Sequence, residues 1–146
     1  MPTKTKTEYG ASFKADFQER FAFLAATTKT FSQRTIEHMA KRDWNAEIFI
    51  NKTALNLDFY YKLSNSKVNK PKLETALNIC IGLRLNKWER NELIELAGYT
   101  LRNELPDAAY IFILDNCDIR NIDDFNNAFL ALELKGYSTP PLKSDR

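Results

Sequence analysis

Apolar residues recur along this chain at intervals of three and four, the period of a helix surface, and no run alternates convincingly enough to make a strand. Phe13, Phe17, Phe21 and Leu24, spaced four, four and three, form one face of a helix that Ser12 caps, and core or interface is its expected fate. The polar, β-branched run Thr27 to Thr30 interrupts it. From Ser32 onward, Ile36, Met39 and Ala40 lie on one side and Arg34, Lys41 and Arg42 on the other, which predicts a helix over 32–42. Asn45 then caps a short segment carrying Ile48, Phe49, Ile50, Ala54 and Leu55. After Asn56 a second short segment runs from Leu57 to Leu63, with Tyr60 and Leu63 aligned with Leu55. The pattern predicts two short helices joined by a tight turn at 54–56.

A lysine-rich loop, Ser64 to Lys70, leads to Pro71, whose missing N–H suits the first position of a helix. Leu73, Ala76, Leu77, Cys80, Ile81 and Leu83 make that helix apolar around much of its circumference, the mark of a central helix. Asn86 and Glu89 form a variant capping box for a helix over 87–97, closed by Gly98 at the left-handed C′ position. Pro106 and Asp107 open another, carrying Ala109, Tyr110, Ile113 and Leu114. Ile122, Phe125, Phe129 and Leu132 stack along a last one, which is expected to end at Gly136 before a Pro-rich polar tail. The first dozen residues have no apolar period and are expected to form a mobile tail. The fold class predicted is all-α.

Composition agrees. A chain of 146 residues with 44% hydrophobic residues, four glycines and five prolines suits one core and few tight turns, which argues against sandwiches and barrels. Charge is more informative, because the net +2 conceals a division. Residues 1–90 carry 16 Lys/Arg against 9 Asp/Glu, and residues 91–146 carry 5 against 10. Within the positive part, residues 62–72 hold Lys62, Lys67, Lys70 and Lys72 with no acid, either a solvated loop or a strip that faces phosphates.

Enzyme signatures are scarce. The single histidine, His38, reads as a surface or half-buried packing residue, and the four glycines are too scattered for a phosphate loop. Asp115, Asp118, Asp123 and Asp124 match no calcium loop and read as capping aspartates in a turn. Cys80 and Cys117 have no partners at metal-binding spacing and are expected as buried free thiols. No enzyme activity, metal or cofactor is expected. No window is apolar enough to span a membrane and Met1 to Lys6 leads into polar sequence, so a cytoplasmic location is the expectation.

The order of elements in residues 32–85, a helix, two short helices around a three-residue turn, a basic loop and an apolar helix, resembles the helix-turn-helix domains of the phage-repressor-like (Cro/repressor, or XRE) superfamily. From Phe31 to Tyr137 the chain is similar to a group of small bacterial helix-turn-helix proteins, through Asn69-Lys-Pro-Lys-Leu73, through Leu85 to Leu101 with its Ala97-Gly98-Tyr99-Thr100-Leu101 segment, and through Asp107 to Ile113 and Ile122 to Asn126. The resemblance implies a five-helix repressor-like core with an added N-terminal helix and C-terminal helices, and usually transcriptional regulation. The corresponding division is a flexible tail plus amphipathic helix (1–30), a helix-turn-helix domain (31–100), a C-terminal helical extension (101–137) and a disordered tail (138–146).

On that reading residues 56–64 enter the major groove of double-stranded DNA, with Leu55, Tyr60 and Leu63 facing inward. Base-edge candidates are Asn56, Asp58, Tyr61 and Lys62, since Lys donates to guanine and Asp accepts from cytosine N4. Phosphate candidates are Lys52, Lys67, Lys70 and Lys72. A homodimer is expected, through either the Phe13/Phe17/Phe21 helix or the acidic C-terminal helices. The outward face Leu57, Asp58, Phe59 and Tyr61 has no arginine and is rich in aromatics. The alternative is therefore a protein-binding module on the same scaffold, such as an antitoxin or a phage-encoded inhibitor.

Overall fold

The computed structural model describes residues 9–144; among them it has eight α-helices and no strand. They are α1 (Ala11–Thr27), α2 (Phe31–Lys41), α3 (Ala46–Thr53), α4 (Leu57–Ser64), α5 (Leu73–Gly82), α6 (Lys87–Leu96), α7 (Asp107–Asn116) and α8 (Ile122–Ala131). Most starts are set by short polar side chains that satisfy a first-turn N–H. Asn45 accepts from the Ile48 N–H at 2.9 Å, Asn56 from Phe59 at 2.8 Å and Asn121 from Asp124 at 2.8 Å. Asn86 and Glu89 form the expected reciprocal box. Thr30 and Gln33 form a second one at the head of α2, two residues before the expected start at Ser32.

Three expected boundaries move. Gly10, not Ser12, precedes the first helical residue, and no side chain caps α1. Pro71 is buried ahead of α5, with extended Lys72 as the N-cap, so the helix begins at Leu73. The last helix stops at Ala131, because Glu133 (φ 51°) turns the chain through the left-handed region before it reaches Gly136 (φ 86°), the expected end.

Helix α5 is central, as its all-round apolarity predicts: every residue from Ala76 to Gly82 is buried. It packs on α3, α6 and α8, while α2 meets α4 and α6, and α7 pairs with α8. Phe31, Phe49, Leu63, Leu77, Ile79, Leu83, Leu93, Ile113, Phe125 and Phe129 are the largest fully buried apolar side chains, and they belong to one hydrophobic cluster. That cluster runs from α2 to Leu142, so the segment after residue 100 shares its core with the segment before it. Arg90, almost buried, clamps α6 to α7 through Asp115 at 2.8 Å.

The tail expected over 138–146 is, as far as Ser144, tied to the body. Leu142 is buried and exchanges two backbone hydrogen bonds with the Asn126 side chain, each 3.0 Å. The Asn78 amide donates to Lys143 O at 2.9 Å and to Thr53 O at 2.7 Å, joining the tail to α3 through α5. Two buried amides needed backbone partners, and the tail supplies them. Residues 145 and 146, and the first eight of the mobile stretch expected at the N-terminus, lie outside the described residues.

Helix α1 is the exception to this packing. None of its residues is buried, and Phe13, Phe17, Phe21, Phe23 and Leu24 are all between 45% and 64% exposed. No helix among the described residues is long and apolar enough to cross a membrane.

Candidate nucleic-acid interface

The pair α3 and α4 is built around Phe49. Its ring is fully buried, with Phe59 stacked parallel at 6.3 Å and Tyr60 edge-on at 5.4 Å. Leu55 and Leu63 complete the inward face. The turn between the helices places Ala54 in the left-handed region (φ 61°, ψ 18°), where glycine is the relaxed residue and a Cβ costs about 1 kcal/mol. Thr53 compensates locally: its hydroxyl donates to Phe49 O at 2.7 Å and accepts from the Leu55 N–H at 3.2 Å. A tight turn therefore forms without the glycine that its geometry favours.

What α4 leaves outside is a small mixed surface. Leu57 and Tyr61 are 44% and 56% exposed, beside Asp58 and Lys62, which are also exposed. Asp58 and Lys62 form an i,i+4 ion pair at 3.1 Å, worth only about 0.3–0.5 kcal/mol at such a site and easily exchanged for another partner. Asn56 uses its side-chain oxygen on the helix cap. Phe59, expected on the outward face, is half-buried instead. Helical position puts it at the boundary of that face, and the adjacent Phe49 ring draws it inward.

The lysine-rich segment that follows is pinned at its midpoint. Val68 is buried, and the Ser32 hydroxyl donates to Val68 O and accepts from Val68 N. Lys67 N also donates to Lys62 O at 2.9 Å. Lys67, Lys70 and Lys72 are thus held exposed around a fixed point, and none has a carboxylate partner among the described residues. Nothing in the local pattern announces this anchor, since Ser32 and Val68 stand 36 residues apart. Lys52 lies elsewhere, on the wall of a cleft formed with Arg42, Arg84 and Arg120.

His38 is fully buried, deeper than its sequence setting suggests, and neither ring nitrogen makes a hydrogen bond among the described residues. Burial, aided by the Arg34 charge and opposed by Glu89 at 3.9 Å from Nδ1, holds its pKa below the ordinary imidazole value. Cys80 is buried, and burial pushes its thiol up to about 12; Cys117, expected to be buried, is exposed just beyond the end of α7. The aspartates of the 115–124 region bind neighbours: Asp115 holds Arg90, Asp118 pairs with Arg120 at 3.0 Å, Asp123 accepts from Ser144, and Asp124 accepts from Arg120 N. Among the described residues no group of His, Cys, Asp and Glu is placed to hold a metal ion.

Comparison with protein-family models, with curated proteins and with solved structures yields no match to this chain.

Proposed function

We propose that this chain is a sequence-specific DNA-binding regulator of transcription, acting as a repressor through a helix-turn-helix formed by α3 and α4. The carrying observation is α4 with the segment that follows it: an exposed helix face and then Lys67, Lys70 and Lys72, exposed around the Val68 anchor with no acidic partner among the described residues. A short helix with one face buried and the other displayed is the element that enters a major groove, and cations beside it meet the phosphates. Asn56, Asp58, Tyr61 and Lys62 contact base edges, with the Asp58–Lys62 pair opening to do so. The lysines supply most of the affinity, which falls steeply with salt.

One eight-residue recognition helix reads few base pairs, so the reading includes a homodimer. Helix α1 supplies its interface. Phe13, Phe17, Phe21 and Leu24 lie on one face and are 45% to 61% exposed, an apolar patch on the order of 400 Å² per copy, the size of patch that often marks an interaction site. A second copy presents the same stripe, as a two-fold interface requires.

The test is selection from random-sequence duplex DNA at two salt concentrations, with sequencing of the retained fraction. Tight, salt-sensitive retention of a palindromic motif is the expected result; weak retention without enrichment rejects the reading. A second reading, capture of a protein partner through the same face, is favoured by one observation: Leu57 and Tyr61 are exposed beside an ion pair that neutralises itself. Under it Tyr61→Ala abolishes a complex that salt barely affects.

A further inference from the structure

A cleft of about 620 Å³ opens where four helix ends meet: the loop after α2, the C-terminal ends of α3 and α5, and the N-terminal end of α8. Arg42, Lys52, Arg84 and Arg120 line it, against one carboxylate among the described residues, Asp123, which the Ser144 hydroxyl engages. Lys52, a phosphate candidate in the sequence, and Ala54 of the turn before α4 belong to this cleft, but no residue of α4 or of the 65–72 loop lines it.

The concentration of charge follows from packing. At Gly82 a Cβ would stand 2.7 Å from Lys52 O and 2.9 Å from Thr53 Cγ2, so the missing side chain lets α5 and α3 approach closely. That contact brings Lys52, at the end of α3, and Arg84, just past α5, to one cleft. Arg42 is already oriented. Its Nε donates to Leu83 O at 3.0 Å and its Nη1 to His38 O at 2.8 Å, which leaves three of its five N–H donors for a ligand. Lys52 and Arg84 have no carboxylate partner among the described residues, whereas Arg120 is tied to Asp118. Asn51, Asn121 and Trp44 complete the walls with amide and aromatic groups.

We propose that this cleft binds a small phosphorylated ligand of mononucleotide size. The volume lies within the range of small-molecule sites, and a concave wall with a charge excess of three fits a compact polyanion better than a wide duplex. Bound there, the ligand joins α3 to α8 and the tail, linking the helix-turn-helix to the segment after residue 100. The proposal does not depend on the reading of α4.

The experiment is calorimetric titration of the full chain with inorganic triphosphate and, separately, with adenosine triphosphate at about 150 mM salt, where attraction to diffuse surface charge is screened. Saturable one-site binding of both is expected, tighter for the nucleotide where the Trp44 and amide walls contribute. Arg84→Gly, which also relaxes a residue held at φ 53°, and Lys52→Gln each weaken it at least tenfold, while Lys70→Gln leaves it unchanged. Three results overturn the proposal: no saturable binding, an equal loss in Lys70→Gln, or an effect of Arg84→Gly and Lys52→Gln confined to duplex DNA.

Discussion

Helices α1 and α5 are both rich in large apolar residues, yet one buries nothing and the other buries every residue from Ala76 to Gly82. Their difference lies in how much charged and polar sequence is mixed with those residues. In α5 they surround the axis, so the helix is stable only inside a core, with α3, α6 and α8 against it. In α1 Phe13, Phe17, Phe21 and Leu24 share one side, Phe23 lies off it, and Lys14, Asp16, Gln18, Glu19 and Arg20 are interspersed among them. The proposed dimer would draw on that exposed apolar surface.

Substitutions separate the two helices. The largest expected effect is Leu77→Ala: at a fully buried position it leaves a cavity and costs about 3 kcal/mol, read from denaturant midpoints. Gly82→Ala comes next, at about 2 kcal/mol, because the new methyl group meets the Lys52 backbone oxygen and the Thr53 side chain. Phe17→Ser with Phe21→Ser should change monomer stability by less than about 0.5 kcal/mol each, since neither ring is buried. Sedimentation should nevertheless show that this double variant has lost its dimer. A comparable stability loss in α1 and α5 variants would erase the contrast.

A pH prediction concerns the core side of the comparison. His38 has a folded pKa below its unfolded value, so the unfolded chain takes up a proton first as the solution is acidified. Its contribution to stability is complete above the unfolded imidazole value of about 6.5 and is lost as pH falls toward the lower folded value. His38→Leu should flatten that part of the stability curve measured by thermal unfolding between about pH 7 and 5. An unchanged slope would assign the acid sensitivity to other groups.

The helices were legible where their determinants are local. Asn45, Asn56 and Asn86 act as the caps that their positions suggest, Gly98 takes the left-handed conformation at the end of α6, and α5 occupies the centre. The inward set Leu55, Tyr60 and Leu63 was also legible, because a single helical period separates it from Leu57 and Tyr61. What escaped depends on residues far apart in sequence. The Ser32–Val68 anchor, the ties of Asn78 to Lys143 and of Asn126 to Leu142, and the basic cleft all form only after the helices have packed. Phe59 belongs to the same class, because its direction is settled by a ring on another helix. Ala54 is the opposite case: a chain without the favoured glycine still makes the turn, since Thr53 holds it.

The salt dependence of duplex binding, measured before and after Lys67→Ala, Lys70→Ala and Lys72→Ala are combined, tests most directly whether α4 and the anchored lysine segment meet DNA. If each lysine neutralises one phosphate, the slope of log affinity against log salt should flatten by about 3 and affinity should fall for every sequence alike. A slope and affinity unchanged by the triple substitution would contradict the account.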